Sequence, residues 1–287
     1  MIDRRAFAGG VALAGFAWGM PARAHDAAEA MADLERSLGA RLGVAMRDTA
    51  NGARFRYRAD ERFPITSTFK FLAAAAVLAR IDAGAENPDR RVRFTKSELV
   101  TYSPATEKYA GGEGMTITEI CEAAITLSDN TAGNLLLASI GGPEGLTRYA
   151  RSVGDEITRL DRVETDLNEA RPGDARDTTS PAAMLGNLEK LLLGDALSAA
   201  SRSQLANWMI ANKTGDTRLR AGVPNGWRVG DKTGAGGHGT NNDIAILWPP
   251  TGKPVLIAAY LTECARSVEE RNAAIAEVAR ILTAHAH

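Results

Sequence analysis

The chain has 287 residues, enough to bury a full hydrophobic core in one large domain or in two interleaved ones. Its formal net charge of −1 gives no electrostatic reason to expect nucleic acid as a partner. The four histidines and two cysteines stand in no metal-ligand spacing, so a zinc site is not expected. No cofactor is expected either.

The first 24 residues have the pattern of an export signal. Arg4 and Arg5 precede an apolar run over 6–20, and Ala22-Arg23-Ala24 has the small-residue form of a cleavage site. A short membrane anchor is the alternative, but the run is short and rich in Gly and Ala. We therefore predict a cleaved signal, possessing the paired arginines of the twin-arginine route. The mature protein would then be a periplasmic monomer that no longer contacts the membrane.

The predicted elements after the signal begin with a helix over 26–38. Alternating patterns then predict strands at Leu42–Arg47 and Phe55–Arg58, around a turn at Asn51-Gly52. Helical patterns run from Thr68 to Ile140, and a polar segment over 161–180 predicts a long surface loop. The remaining predicted helices and strands are Pro181–Leu193, Ser201–Ile210, Trp227–Lys232, Asp243–Trp248, Val255–Leu261 and Val268–Ala284.

Strands at both ends with helices between them predict an α+β (mixed α/β) fold. In it, an antiparallel sheet flanked by helices is built from both chain ends, and an all-α domain is inserted. The α/β domain would comprise 25–62 and 211–287, and the all-α domain 63–210, including the loop 161–180. Export would permit a disulfide between Cys121 and Cys264. We favour two unpaired thiols; the sequence does not give the distance between them.

Ser67 and Lys70 are three residues apart and would share one face of a helix. The residues around them, Phe69 and 71–79, are apolar almost all round, so this helix should be buried. A buried lysine has a lowered pKa because desolvation disfavours the ammonium, and a partly neutral amine beside a serine hydroxyl is a plausible base. A chance Ser-x-x-Lys is the alternative interpretation.

Ser128-Asp129-Asn130 stands at a predicted break between two helices. All three residue types are favoured helix caps, so the tripeptide could simply begin the helix Thr131–Ile140. One residue can cap while its neighbours face a cleft, and the two interpretations therefore do not exclude each other.

Lys-Thr-Gly occurs twice, at 213–215 and 232–234. The first copy follows a predicted helix and is typical of a loop that ends one. The second ends a predicted strand and runs into Ala235 and two glycines, where a ligand can approach the backbone closely. Lys232 would offer an anion a point charge. We therefore take the second copy as functional and the first as structural.

Glu164 lies in the long polar loop, where an acidic side chain is ordinarily exposed to solvent. Asn168 follows four residues later and could hold a water molecule beside the carboxylate. Arg162 and Asp177 bracket the segment, and an ion pair between them would close a compact Ω-loop.

The ordered set Ser67-x-x-Lys70, Ser128-Asp129-Asn130, Glu164-x-x-Leu167-Asn168 and Lys232-Thr233-Gly234 resembles class A serine β-lactamases. The resemblance covers essentially the whole mature chain, and 102–108 and 176–179 match it too. It implies a serine β-lactamase that hydrolyses the amide of penicillins and some cephalosporins and confers β-lactam resistance.

The resemblance also implies roles for the reacting groups. Ser67 would attack the carbonyl, with the backbone N–H groups of Ser67 and Ala235 as the oxyanion hole. Ser128 would relay a proton to the ring nitrogen, and Glu164 would activate the water that cleaves the acyl-enzyme. Whether Lys70 or Glu164 is the acylation base stays open. The residues implied in substrate binding are Tyr102, Asn130, Asn168, Arg218, Lys232, Thr233, Gly234 and Ala235.

The chain departs from the family pattern at several positions. Asn241 stands where many relatives carry an arginine, and the resemblance implies that Arg218 supplies the guanidinium instead. Thr66 and Gly236 are not cysteines, so the disulfide typical of class A carbapenemases cannot form. Two alternatives share much of the motif set: a penicillin-binding protein, which lacks the deacylating Glu, and a β-lactam sensor that stays acylated.

Overall fold

A computed structural model of the protein describes residues 22–284. The predicted export signal therefore lies outside the described residues, except for its last three, which belong to the first helix. Among the residues that are described, no helix combines the length and the apolar character needed to span a bilayer.

The described chain alternates short strands with helices in an α+β arrangement. The strands are β1 (Arg41–Asp48), β2 (Arg54–Tyr57), β3 (Phe63–Pro64), β4 (Arg91–Val92), β5 (Met115–Thr116), β6 (Thr178–Thr179), β7 (Arg228–Gly236), β8 (Thr240–Trp248) and β9 (Val255–Thr262). The α-helices are α1 (Ala22–Leu38), α2 (Phe69–Asp82), α3 (Ile117–Thr126), α4 (Asn130–Ile140), α5 (Gly142–Ser152), α6 (Pro181–Leu192), α7 (Ala199–Ile210), α8 (Leu219–Gly222) and α9 (Val268–Thr283). Short 3₁₀ turns cover Thr66–Thr68, Lys96–Glu98, Thr106–Lys108 and Asp166–Asn168.

The main sheet is five-stranded and antiparallel, in the order β2-β1-β9-β8-β7. β1 pairs with β9 from Arg41 opposite Thr262 to Asp48 opposite Val255, so the two ends of the chain meet at the centre of the sheet. β9 is buried along its whole length, which its unbroken run of apolar residues indicates for a strand covered on both faces. The predicted fold class is confirmed; the division into two domains stays a prediction.

The sheet separates two apolar cores. One contains Met31, Leu42 and Ile275 and is covered by α1 and α9. The other contains Phe69 and Leu136 and is formed by the helices between the two strand sets. Cys121 belongs to this second core and Cys264 to the first, and both are buried free thiols, as predicted.

Two of the predicted strands, Trp227–Lys232 and Asp243–Trp248, are shorter than the observed β7 and β8, and the missed residues are small or polar. β7 does not end at Lys232 but continues to Gly236, and β8 begins at Thr240 rather than Asp243. Because β7 and β8 form one antiparallel hairpin with Gly234 opposite Asn242, the ladder hydrogen bonds extend through small and polar residues. The second Lys-Thr-Gly therefore lies within the edge strand of the sheet, not just beyond it.

α4 begins with a side-chain cap from Asp129. This fully buried carboxylate accepts hydrogen bonds from the Ala132 backbone N–H at 2.8 Å and from the Ala105 and Thr106 N–H groups at 2.9 Å each. The Thr106 hydroxyl donates to it as well. Asp129 thus satisfies an otherwise unpaired donor of the first helical turn and fixes the loop before Thr106 to the helix.

Replacing Asp129 with alanine should lower the free energy of unfolding by about 3 kcal/mol, because one helix cap is lost and further buried donors are left without an acceptor. The measurement is chemical denaturation followed by circular dichroism. Asp166→Ala is the control, since Asp166 is exposed, and it should leave the denaturation midpoint unchanged. Equal midpoints for the two variants would contradict the assignment.

Candidate active site

Ser67 lies in the 3₁₀ turn Thr66–Thr68, which leads directly into α2. Lys70 is in the first turn of that helix and is fully buried, as the apolar run around it predicts. Its Nζ donates a hydrogen bond to Ser67 Oγ at 3.0 Å. The predicted contact between the Ser67 hydroxyl and the Lys70 amine is therefore formed, at the N-terminus of α2.

The buried amine of Lys70 is surrounded by oxygen atoms. Its Nζ lies 2.7 Å from Asn130 Oδ1, 2.9 Å from the Ser128 carbonyl and 2.9 Å from Glu164 Oε1. Burial lowers the pKa of Lys70, and the negative charge of Glu164 opposes this effect. The amine is thus held where it can exchange a proton with Ser67.

Glu164 is brought inside the protein by the loop 161–180. Its side chain is inaccessible to solvent, and Oε1 accepts a hydrogen bond from Ser67 Oγ at 3.3 Å. Oε2 accepts from Asn168 Nδ2 at 2.5 Å, so the carboxylate is held between these two side chains. The exposure expected of a loop acid is not observed, because the loop folds back onto the N-terminus of α2 and onto α4.

Two contacts hold the loop in this position. Arg162 Nε donates to Asp177 Oδ2 at 2.6 Å, which is the predicted closure of the loop. Asn134, which sequence analysis missed, donates to the Glu164 carbonyl at 3.0 Å and accepts from its N–H at 2.8 Å. The available signal was its spacing, since Asn134 follows Asn130 by four residues and shares its helix face.

Ser128 stands between the two lysines, at the junction of α3 and α4. Its Oγ accepts a hydrogen bond from Lys232 Nζ at 2.9 Å, while its carbonyl accepts from Lys70. Burial, followed by the like charge of Lys70, holds the pKa of Lys232 well below its usual value. Asp129 caps α4, as the cap interpretation predicts, while the side chains of Ser128 and Asn130 contact Lys232 and Lys70.

The edge strand β7 carries Lys232, and a second cationic side chain lies behind it. The Arg218 guanidinium is buried behind it and donates to the Gly234 carbonyl at 2.7 Å and to the Asn242 carbonyl at 2.8 Å. Its Nε donates to Asn272 at 3.0 Å. Burial lowers the pKa of Arg218, and its positive charge in turn contributes to lowering the pKa of Lys232.

The first Lys-Thr-Gly copy, residues 213–215, lies against β7. Thr214 and Thr233 have their hydroxyl oxygens 2.5 Å apart, and Gly215 packs against the carboxylate of Asp231. The copy is part of the loop after α7, as predicted, and it also supports the second copy. Nothing in the repeated tripeptide itself indicated that the two would touch.

At the rim, Tyr102 has an exposed ring, and its carbonyl accepts a hydrogen bond from the Asn130 N–H at 3.0 Å. Ala235 is exposed next to the buried Gly234. Residues 22–284 contain no group of three or more His, Cys, Asp or Glu side chains placed to hold a metal ion. The predicted residues joined in one network by direct hydrogen bonds or ion pairs are Ser67, Lys70, Tyr102, Ser128, Asn130, Glu164, Asn168, Lys232 and Thr233. Arg218 and Gly234 form a separate hydrogen-bonded pair.

Comparison with known proteins gives consistent matches over this whole region. A profile of the "Beta-lactamase enzyme family" matches residues 26–286. Beta-lactamase FAR-1 of Nocardia farcinica is 52% identical over 87% of this chain and 79% of its own length. Beta-lactamase CTX-M-97 of Escherichia coli is 47% identical over 91% of this chain and 90% of its own length.

Solved structures are similar in fold as well as in sequence. The last common ancestor of Gram-negative bacteria class A β-lactamase is 62% identical, with a TM-score of 0.89, over 91% of this chain and 99% of that one. The putative class A β-lactamase PenP from Rhodopseudomonas palustris is 61% identical, with the same TM-score, over 90% and 99%. With its site geometry and these matches, the chain belongs to the β-lactamase enzyme family, as a member of class A.

Proposed function

We propose that this protein is a serine β-lactamase that hydrolyses the β-lactam amide of penicillins and some cephalosporins through an acyl-enzyme on Ser67, and so confers β-lactam resistance. The observation that carries the proposal is the position of Glu164, whose Oε1 lies 3.3 Å from Ser67 Oγ and 2.9 Å from Lys70 Nζ. A nucleophile with two bases in contact has what acylation and deacylation each require.

Acylation begins when Ser67 Oγ attacks the β-lactam carbonyl and loses its proton to the Lys70–Glu164 pair. Lys70 and Glu164 touch each other, so a proton taken by one can pass to the other. The backbone N–H groups of Ser67 and Ala235 stabilise the oxyanion. The C–N bond then breaks, and the ring nitrogen takes a proton from Ser128 Oγ. Ser128 regains a proton from the adjacent lysines, of which Lys232 donates to its Oγ at 2.9 Å.

The substrate carboxylate binds at β7, where the cationic side chains of Lys232 and Arg218 lie. Lys232 and Thr233 contact it directly, and Arg218 adds its guanidinium from behind β7. Asn130 contacts the acylamide side chain, and Tyr102 lines the rim. Buried cations attract an anion strongly because the surrounding medium screens their charge weakly.

Deacylation requires a water molecule activated by Glu164. The carboxylate accepts a hydrogen bond from Asn168, whose Oδ1 is buried and has no protein partner within the described part of the chain. Glu164 takes a proton from the water, which attacks the ester carbon of acylated Ser67. The bond from that carbon to Ser67 Oγ then breaks, and Oγ takes back a proton from the Lys70–Glu164 pair, which contacts it. A penicillin-binding protein or a sensor that stays acylated would lack this step, and Glu164 therefore separates the proposed hydrolase from both.

Glu164→Gln should lower steady-state turnover of a chromogenic cephalosporin about 10²–10⁴-fold, since the general base of deacylation is lost while the nucleophile remains. Mass spectrometry should then find a stable adduct on Ser67. Asp166→Asn removes an exposed carboxylate two residues away and should keep normal turnover. If the native protein itself stopped after one equivalent, the hydrolase proposal would be wrong.

Arg218→Ala should raise KM for benzylpenicillin about 10- to 100-fold with a smaller effect on kcat, because a weakly screened positive charge behind the site of the substrate carboxylate is lost. Arg218→Lys keeps the charge but not the planar fork, and should fall between the native protein and the alanine variant. An unchanged KM in both variants would show that the carboxylate binds elsewhere.

We also propose that the mature protein acts in the periplasm as a monomer after removal of residues 1–24. The sequence of the N-terminal segment supports export and cleavage. Protein recovered from the periplasm should begin at His25 by intact-mass measurement, and light scattering should give the monomer mass. A periplasmic protein that keeps residues 1–24, or a dimer mass, would contradict the proposal.

A further inference from the structure

Asn242 on β8 reaches across to the segment that precedes the nucleophile. Its side chain is fully buried, and Nδ2 donates to the Pro64 carbonyl at 2.8 Å and to Thr66 Oγ1 at 2.9 Å, with the Ile65 carbonyl at 3.4 Å. Three oxygen atoms, two of them carbonyl oxygens that can only accept, surround this end of the amide. The amide group there must therefore be the NH₂ donor, not the carbonyl oxygen. The Asn242 side chain therefore has one orientation, with both amide hydrogens directed at residues 64–66.

Thr66 needs an external restraint. It is a β-branched residue with φ of +43°, in the left-handed region that such side chains disfavour. A residue in this conformation persists when its surroundings over-determine it. Thr66 is completely buried, and its hydroxyl is the group that Asn242 contacts.

The edge strand β7 is shaped to receive the same hydroxyl. A Cβ on Gly234 would overlap Thr66 Oγ1, and it would also lie 3.3 Å from the Ser67 nitrogen. A Cβ on Gly236 would lie 2.9 Å from Thr66 Cγ2. Both glycines thus leave space for the Thr66 side chain, and Thr66 is packed between β7 and the side chain of Asn242.

Asn242 also lies in the ladder that positions the other oxyanion donor. It is directly opposite Gly234 in the β7–β8 pair, next to Ala235 opposite Asn241. On its other side, Asn242 pairs with Tyr260 of β9, whose hydroxyl lies 3.2 Å from the Thr68 hydroxyl. The turn Thr66–Thr68 is therefore held on both sides of Ser67. One strand residue therefore connects the strand that carries Ala235 with the turn that carries Ser67.

We propose that Asn242 is a positioning residue of the oxyanion hole: by holding strained Thr66, it sets the Ser67 N–H at the correct distance from the Ala235 N–H. This inference rests on the proposed acyl-enzyme at Ser67. Asn242 does not touch the reacting atoms, and its effect passes through the peptide between Thr66 and Ser67.

Asn242→Ala should lower kcat for benzylpenicillin about 10- to 100-fold, less than the loss of a whole oxyanion donor, with KM within about twofold. Asn187→Ala is the matched control, since Asn187 is a buried asparagine on α6 that donates to Asp155 at 2.6 Å. It should lose stability and keep kcat.

The diagnostic measurement is the infrared carbonyl band of the adduct that benzylpenicillin forms with Glu164→Gln. Two aligned N–H donors polarise this carbonyl and lower its stretching frequency. Adding Asn242→Ala should shift the band to higher frequency, whereas adding Asn187→Ala should not move it. Asn242→Ser, too short to reach Pro64 and Thr66, should give the same shift and replaces the alanine variant if that one does not fold.

The outcomes separate the two proposals. An adduct whose carbonyl band is unmoved by a folded Asn242 variant would overturn the role of Asn242 and leave the acyl-enzyme intact. Failure of both Asn242 variants to fold would assign Asn242 to folding alone and would also overturn it. If the Glu164→Gln parent formed no adduct on Ser67, the proposed function and this inference would both be wrong.

Discussion

The arrangement of this protein depends on how it buries the ammonium group of Lys70. Removing such a charge from water costs several kcal/mol unless other groups replace the lost hydration. Here those groups are Glu164, Asn130 and the carbonyl of Ser128, which come from the Ω-loop and from the start of α4. Helix α2 can therefore be packed at the centre of the fold only when these segments are also in place. The same contacts assemble the proposed catalytic groups.

A second constraint is the concentration of positive charge. Lys70, Lys232 and Arg218 are all buried, and burial lowers the pKa of each. Lys232 is further affected by the nearby charge of Lys70. This clustering opposes stability, since like charges repel in a poorly screened medium. For an enzyme of this family it has a use, because the same field attracts an anionic substrate and makes protons easier to remove from the amines.

The sequence predicted structure best where the hydrophobic pattern of a single segment is enough to define a helix or a strand. The apolar run around Lys70 indicated a buried helix, and the alternating and continuous apolar patterns located the strands of the sheet. It failed at the ends of β7 and β8, where Gly234 and Asn242 belong to the ladder although neither favours a strand by itself. Gly234 and Asn242 are in strands because they pair with each other across β7 and β8, and a local sequence pattern does not indicate which strands pair.

The sequence by itself identified the family, because the order and spacing of its short motifs match those of class A β-lactamases and can be compared without any knowledge of the fold. It also determined that Lys70 is buried, because helical periodicity is local. Only the tertiary structure decided that Glu164 is buried against Ser67, that Asn134 anchors its loop, and that Asn242 holds Thr66. These contacts join residues from about 30 to 180 positions apart, and such contacts follow from packing rather than from propensity.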